Sequence, residues 1–131
     1  MRIESQKRAA HALAKVNEWR NKEEGDQKEI LAYVNSFGPM ILMSGFGQTC
    51  AFYLSKGGNH ASVLDALADW LGPEHASVFP SDQIMEQIVD CSARTYQLAQ
   101  AEALAYLDWL KKFARAYLKG EEENNGASAA S

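Results

Sequence analysis

The chain has 131 residues, 47% of them hydrophobic and 23% charged, with a net charge of -4. That is about one domain of chain, long enough to bury a core without a disulfide or metal staple. The acidic balance, to which the run Glu121–Glu123 contributes strongly, argues against nonspecific nucleic-acid binding through overall charge, but not against a local basic patch.

The opening residues, MRIESQKRAAHALAK, lack the apolar run of a signal peptide, and no stretch reaches membrane-spanning length. A cytoplasmic protein without a membrane partner is expected. Cys50 and Cys91 show no paired or Cys/His spacing and read as reduced, packed thiols.

Nearly the whole chain reads helical. Residues 4–24 repeat Ala9, Leu13 and Val16 at helical spacing, and Gly25–Asp26 closes this helix and caps the next. Residues 27–37 form a second helix ending at Gly38. Pro39 suits a first turn and opens a third, over about 40–56, closed by Gly57–Gly58. A fourth, 61–71, carries Val63, Leu64, Leu67, Ala68 and Leu71 on one face. Gly72–Pro73 and Pro80 bracket a loop. Ser81 caps a helix to Asp90, and Ser92 caps the last one, 93–119, about 40 Å long at 1.5 Å per residue. The expected architecture is all-α: five to six helices with a long C-terminal one, residues 1–119 forming a single helical domain and 120–131 a disordered polar tail.

The last helix is the most informative element. Asp108, Lys111, Lys112, Arg115 and Lys119 share an arc of about 100°. Ala103, Leu107, Trp109, Leu110, Phe113, Ala114, Tyr117 and Leu118 fill the rest. A helix so apolar is buried, which leaves a basic slot open. The first helix carries a second strip, Arg8, His11, Lys15 and Lys22, around Trp19. Cations beside an aromatic suit a nucleic-acid backbone and a stacked base, but Glu4 and Glu18 dilute the strip, and an ordinary solvated face is favoured.

Gly45-Phe46-Gly47-Gln48-Thr49 lacks the Gly-Lys-Ser/Thr of a phosphate loop and follows a helical pattern, not a strand. Within a helix, Gly45, Gln48, Thr49, Phe52 and Lys56 line one side, opposite Leu42, Met43, Phe46, Cys50 and Leu54. The glycines there imply close approach of another backbone, internal or from a partner. No catalytic constellation emerges: His11, His60 and His75 fall in no metal-ligand spacing, Asp65 and Asp69 read as a solvated acidic face, and Ser44 and Ser55 lack an identifiable base. No metal, cofactor or enzymatic activity is expected.

Two blocks resemble the small subunit of the type III-B CRISPR effector, the Cmr (RAMP-module) complex. One is Pro39-Met40-Ile41-Leu42 with Gly45-Phe46-Gly47-Gln48-Thr49 and Ala51-Phe52-Tyr53-Leu54-Ser55-Lys56, similar to a proline, aliphatics, G-L-G-Q-T and a phenylalanine-rich helix. The other is Glu102-Ala103-Leu104-Ala105-Tyr106-Leu107 with Trp109-Leu110-Lys111-Lys112-Phe113-Ala114, similar to E-A-L-x-x-L-x-W-L-K-R-F-A. Ala68-Asp69-Trp70-Leu71 and Arg8-Ala9 match lesser elements in the same order. Phe46 stands for the usual leucine and Lys112 for the usual arginine.

The resemblance implies a noncatalytic subunit that stacks with neighbouring small subunits as a minor filament, against the backbone subunit, and helps hold the guide RNA–target RNA duplex in antiviral defence. The candidate RNA contacts, chosen by basic clustering, are Arg8, Lys15, Lys56, Arg94, Lys111, Lys112 and Arg115. Trp19, Gly45, Gln48, Thr49 and Phe52 are the candidates for subunit docking. The alternative is a helical protein-interaction adaptor that makes no RNA contact.

Overall fold

A computed structural model describes residues 3–120. The expected tail, 120–131, lies outside the described residues apart from Gly120. Six helices follow in order: α1 (Glu4–Trp19), α2 (Glu24–Ser44), α3 (Phe46–Lys56), α4 (Gly58–Leu71), α5 (Ile84–Asp90) and α6 (Ala93–Tyr117). There is no strand among the described residues, and no helix there is long and apolar enough to cross a membrane. The all-α architecture with a long last helix is as the sequence implied.

The 25 residues of α6 run about 37 Å at 1.5 Å per residue. Ser92 starts it as expected, its hydroxyl accepting the Thr95 N–H at 3.1 Å. Ala99, Ala103, Tyr106, Leu107, Leu110 and Ala114 form its buried face, against α1, α2 and α4. All five apolar residues expected on one face of α4 are buried. Together the buried side chains make one contiguous cluster that draws on all six helices.

Several boundaries differ from expectation. α2 starts at Glu24, taking in Gly25–Asp26, α4 starts at Gly58, and α6 ends at Tyr117. Three further differences have a visible cause. The first helix stops at Trp19, because the buried Gln27 amide donates to the carbonyls of Arg20 (3.1 Å) and Lys22 (2.8 Å) and holds them in a turn. The same side chain accepts the Lys119 N–H at 3.0 Å, so it joins the α1–α2 turn to the end of α6.

Gly38–Pro39 does not break the chain. Pro39 withholds one backbone donor from the ladder, yet Ile30, Val34, Phe37 and Ile41 form one buried face that carries α2 straight through it. Burial of four apolar side chains, at about 1.5–3 kcal/mol each, outweighs the roughly 3 kcal/mol penalty of an internal proline. The break falls instead at Gly45 (φ 94°, ψ 157°), a conformation essentially confined to glycine. Gly57 (φ 66°, ψ -162°) makes the next joint in the same way. The helix that Ser81 was to cap starts later, at Ile84, and the Ser81 hydroxyl accepts the Gln83 N–H within the preceding loop.

Candidate nucleic-acid interface

Breaking the chain at Gly45 rotates α3 relative to the expected helix. Its core face is Phe46, Thr49, Cys50 and Tyr53. The Thr49 hydroxyl donates to the Gly45 carbonyl at 2.8 Å, closing the joint from inside. Gly47 has a packing reason for lacking a side chain: a Cβ would lie 3.3 Å from Ile88 and 3.5 Å from the Tyr96 hydroxyl. That hydroxyl accepts the Gly47 N–H at 2.9 Å. A Cβ at Gly45 would meet nothing within 4 Å, so the reason for glycine there is backbone conformation and not the expected close approach.

Of the docking candidates, Thr49 is therefore buried, and Trp19 is only 5% exposed and part of the core. Gly45 is half-buried, while Gln48 and Phe52 are exposed on α3. Leu42 and Met43, placed by the sequence on one apolar face with Phe46 and Cys50, are instead parted from them, 73% and 86% exposed at the end of α2. Sequence reasoning missed them because it ran one helix through Gly45.

The basic strip of α1 faces inward. Arg8 donates Nε and Nη2 to the Glu102 carboxylate on α6, at 2.5 and 2.9 Å, and Glu102 also accepts the Trp70 indole N–H at 2.9 Å. Burial alone raises a carboxyl pKa, but these donors outweigh it and bring Glu102 below the ordinary glutamate value. The hydrogen bond to Glu102 likewise leads in raising the pKa of Arg8.

His11 is held between Tyr106, at 2.7 Å from Nδ1, and Asp69, at 2.7 Å from Nε2. Asp69 also meets His75 at 3.4 Å and Lys15 at 3.8 Å. Burial leads in depressing the pKa of His11. The neutral ring accepts the Tyr106 O–H at Nδ1 and donates Nε2–H to the carboxylate, which satisfies every partner. Asp69 is thus no idle surface acid. Neither it nor the two histidines were connected in the sequence, where 58 residues separate His11 from Asp69.

Of the remaining candidate cations, Lys56, Arg94, Lys112 and Arg115 are exposed and Lys111 is half-buried. On α6, Lys111 lines a groove of about 250 Å³ between α2 and α6, with Asn35, Gly38, Pro39, Leu42 and Asp108 among others, while Lys112 and Arg115 stand beside it through their partners Asp108 and Asn35. Arg115 Nε donates to Asn35 at 3.0 Å, which leaves its two terminal nitrogens for another acceptor. Lys112 pairs with Asp108 at 2.8 Å; both side chains are more than half exposed, so the pair contributes little and opens readily. Arg94 is exposed at the start of α6, and Lys56 lies exposed at the end of α3, 5.7 Å from the Phe52 ring centre. Among the described residues, Lys56, Arg94, Lys111 and Arg115 form no ion pair with a carboxylate. The structure thus brings Lys111, Lys112 and Arg115 together on one side of α6 and leaves Arg8 engaged with Glu102 and Lys15 with Asp69.

The fold and this edge define a small six-helix protein with cations gathered along its longest helix. The chain matches the family described as CRISPR-associated protein (Cas_Cmr5) over residues 4–117. It is 34% identical over 103 residues to the CRISPR system Cmr subunit Cmr5 of Thermotoga maritima, covering 76% of this chain and 75% of that protein. It also superposes, with a TM-score of 0.75 and 28% identity, on the crystal structure of a CRISPR-associated Cmr5 family protein from Thermus thermophilus, covering 89% of this chain and 98% of that one. The chain belongs to the Cmr5 family and is a small subunit of a type III-B CRISPR Cmr complex.

Proposed function

We propose that the chain is a noncatalytic, cytoplasmic subunit, folded as one helical domain over residues 1–119. It stacks with copies of itself and with the Cmr backbone subunit, and steadies the guide RNA–target RNA duplex through the α6 edge. The observation that carries the RNA contact is that Lys111, Lys112 and Arg115 share one side of α6, the first half-buried and the other two exposed, away from the face on which Ala103, Leu107, Leu110 and Ala114 are buried. Such an edge neutralises phosphates without reading bases; specificity belongs to guide pairing. Lys56 and Arg94 extend the positive surface, whereas Arg8 and Lys15 act through the fold. The exposed Leu42, Met43 and Phe52 supply apolar surface, and Gln48 a polar contact, for neighbouring subunits.

The test is reconstitution of the complex with wild-type chain and with the Lys111→Ala/Lys112→Ala/Arg115→Ala variant. The variant should assemble but retain target RNA less well, and its salt dependence should flatten by about 2–3 in the slope of log K against log salt, close to one unit for each phosphate no longer neutralised. Unchanged retention and slope would make the chain an adaptor that binds only protein. Failure of the wild type to join the other Cmr subunits would defeat both readings.

A further inference from the structure

The geometry points to a divalent transition-metal site, of the kind that takes zinc, formed by His11, Asp69 and His75. The three residues come from α1, the last turn of α4 and the loop that follows it. Their donor atoms all lie within 4.8 Å of one another, and both imidazoles converge on the same carboxylate oxygen, at 2.7 and 3.4 Å. Four ligands at zinc's bond lengths sit about 3.3 Å apart, so the set needs only sub-ångström to roughly 1.5 Å adjustments to close on an ion. Two nitrogens and one oxygen form a borderline donor set that suits zinc over calcium or magnesium.

The surroundings have the form such a site requires. His11 is 7% exposed at its side chain and is backed by the buried Tyr106 hydroxyl at Nδ1. With a metal on Nε2 the ring proton sits on Nδ1, whose N–H donates to the Tyr106 hydroxyl oxygen, the outer-shell partner that orients a ligating histidine. His75 is positioned by a loop tied back onto α4, with Ala76 N–H donating to the Trp70 carbonyl and Ser77 N–H to the Gly72 carbonyl, each at 2.9 Å. Its ring lies over Trp70 and meets His11 edge-on, with centroids 4.5 Å apart. The C-terminal end of α4, where Asp69 sits, favours positive charge. An open cleft of about 520 Å³, lined by Lys7, His11, Trp70, Glu74 and His75 among others, reaches the two imidazoles, and Asp69 lines the neighbouring cleft with Lys15, so an ion between them has access and room for a water as fourth ligand. Lys15, 3.8 Å from Asp69, is the cation that the metal displaces. A bound ion clips α1 to α4 and to the loop beyond it.

Untagged chain, stripped with chelator and dialysed, is titrated with Zn²⁺ by calorimetry and with Co²⁺ by visible absorption, and melted with and without Zn²⁺. One ion should bind per chain and raise Tm. His75→Ala and Asp69→Asn, both at partly exposed positions, should each weaken binding by tenfold or more. Lys15→Met should tighten it, and His60→Ala should leave it unchanged. No saturable binding, or a His75→Ala variant that binds as the wild type does, overturns the proposal. Loss of binding in His60→Ala relocates the ion and overturns it equally. None of these outcomes bears on assembly of the complex or on RNA retention.

Discussion

Gly25 and Gly45 form a matched pair for testing what the joint between α2 and α3 requires. A Cβ at either position meets no atom within 4 Å, so an alanine fits both without a clash. They differ in backbone alone. Gly25 is helical, in the first turn of α2, whereas Gly45 has φ 94° and ψ 157°. In a helix, alanine is favoured over glycine by up to about 1 kcal/mol. In the conformation of Gly45 an L side chain is strained by roughly 1–3 kcal/mol. Gly25→Ala should therefore stabilise by about 0.5–1 kcal/mol and Gly45→Ala should destabilise by about 2 kcal/mol. For a domain of this size 1 kcal/mol corresponds to about 4 °C in Tm, so the variants should melt on opposite sides of the wild type, about 10 °C apart. Urea unfolding gives the free energies directly, with an unchanged m-value showing that the same surface is exposed. A Gly45→Ala variant as stable as the wild type would refute the claim that φ fixes glycine there.

The Arg8–Glu102–Trp70 cluster predicts an acid limb. Because Glu102 titrates below its ordinary value when folded, its contribution is complete above the unfolded value and disappears as the pH falls through the folded one. Glu102→Gln should cost about 2 kcal/mol at pH 7 and melt with a shallower Tm decline than the wild type between about pH 5 and pH 3; parallel declines would contradict this. Gln27→Leu leaves the carbonyls of Arg20 and Lys22 and the Lys119 N–H without their partner, and should lower stability by about 2–3 kcal/mol in chemical denaturation. A loss under about 0.5 kcal/mol would show that the turn holds itself. Burial pushes the Cys50 thiol up to about 12, so at about pH 8 a thiol reagent should label the half-buried Cys91 alone in the native chain and both cysteines in denaturant. Labelling of Cys50 first would place it wrongly in the core.

What was legible in the sequence was whatever is encoded locally. The Ser92 cap depends on neighbours within a turn and stands as read. The repeat of α6 holds for Ala103, Leu107, Leu110 and Ala114, but Trp109 and Phe113 are half-buried and Tyr117 is exposed, because the helix ends there without a neighbour to cover that side. Gly45 was misjudged for a reason of rank: Gly38–Pro39 is the stronger local punctuation, but a buried face from Ile30 to Ile41 overrides it. The basic strip of α1 resembled a solvated face because its partners are remote; Glu102 is 94 residues from Arg8. The same distance hid the His11, Asp69 and His75 cluster, since no spacing rule links residues that only the packing of α1 on α4 brings together.

The one-residue joints at Gly45 and Gly57 also bear on how the chain tolerates changes in length. An extra residue taken into the start of α3 advances the helix by about 100°, enough to swing Cys50 and Tyr53 off the core face while Gly57 holds the far end. Insertions and deletions are thus barred from residues 44–58, where three successive helices are coupled in register. Length variation among relatives should collect in the 72–83 loop, whose hydrogen bonds are local and whose ends rest on separate helices.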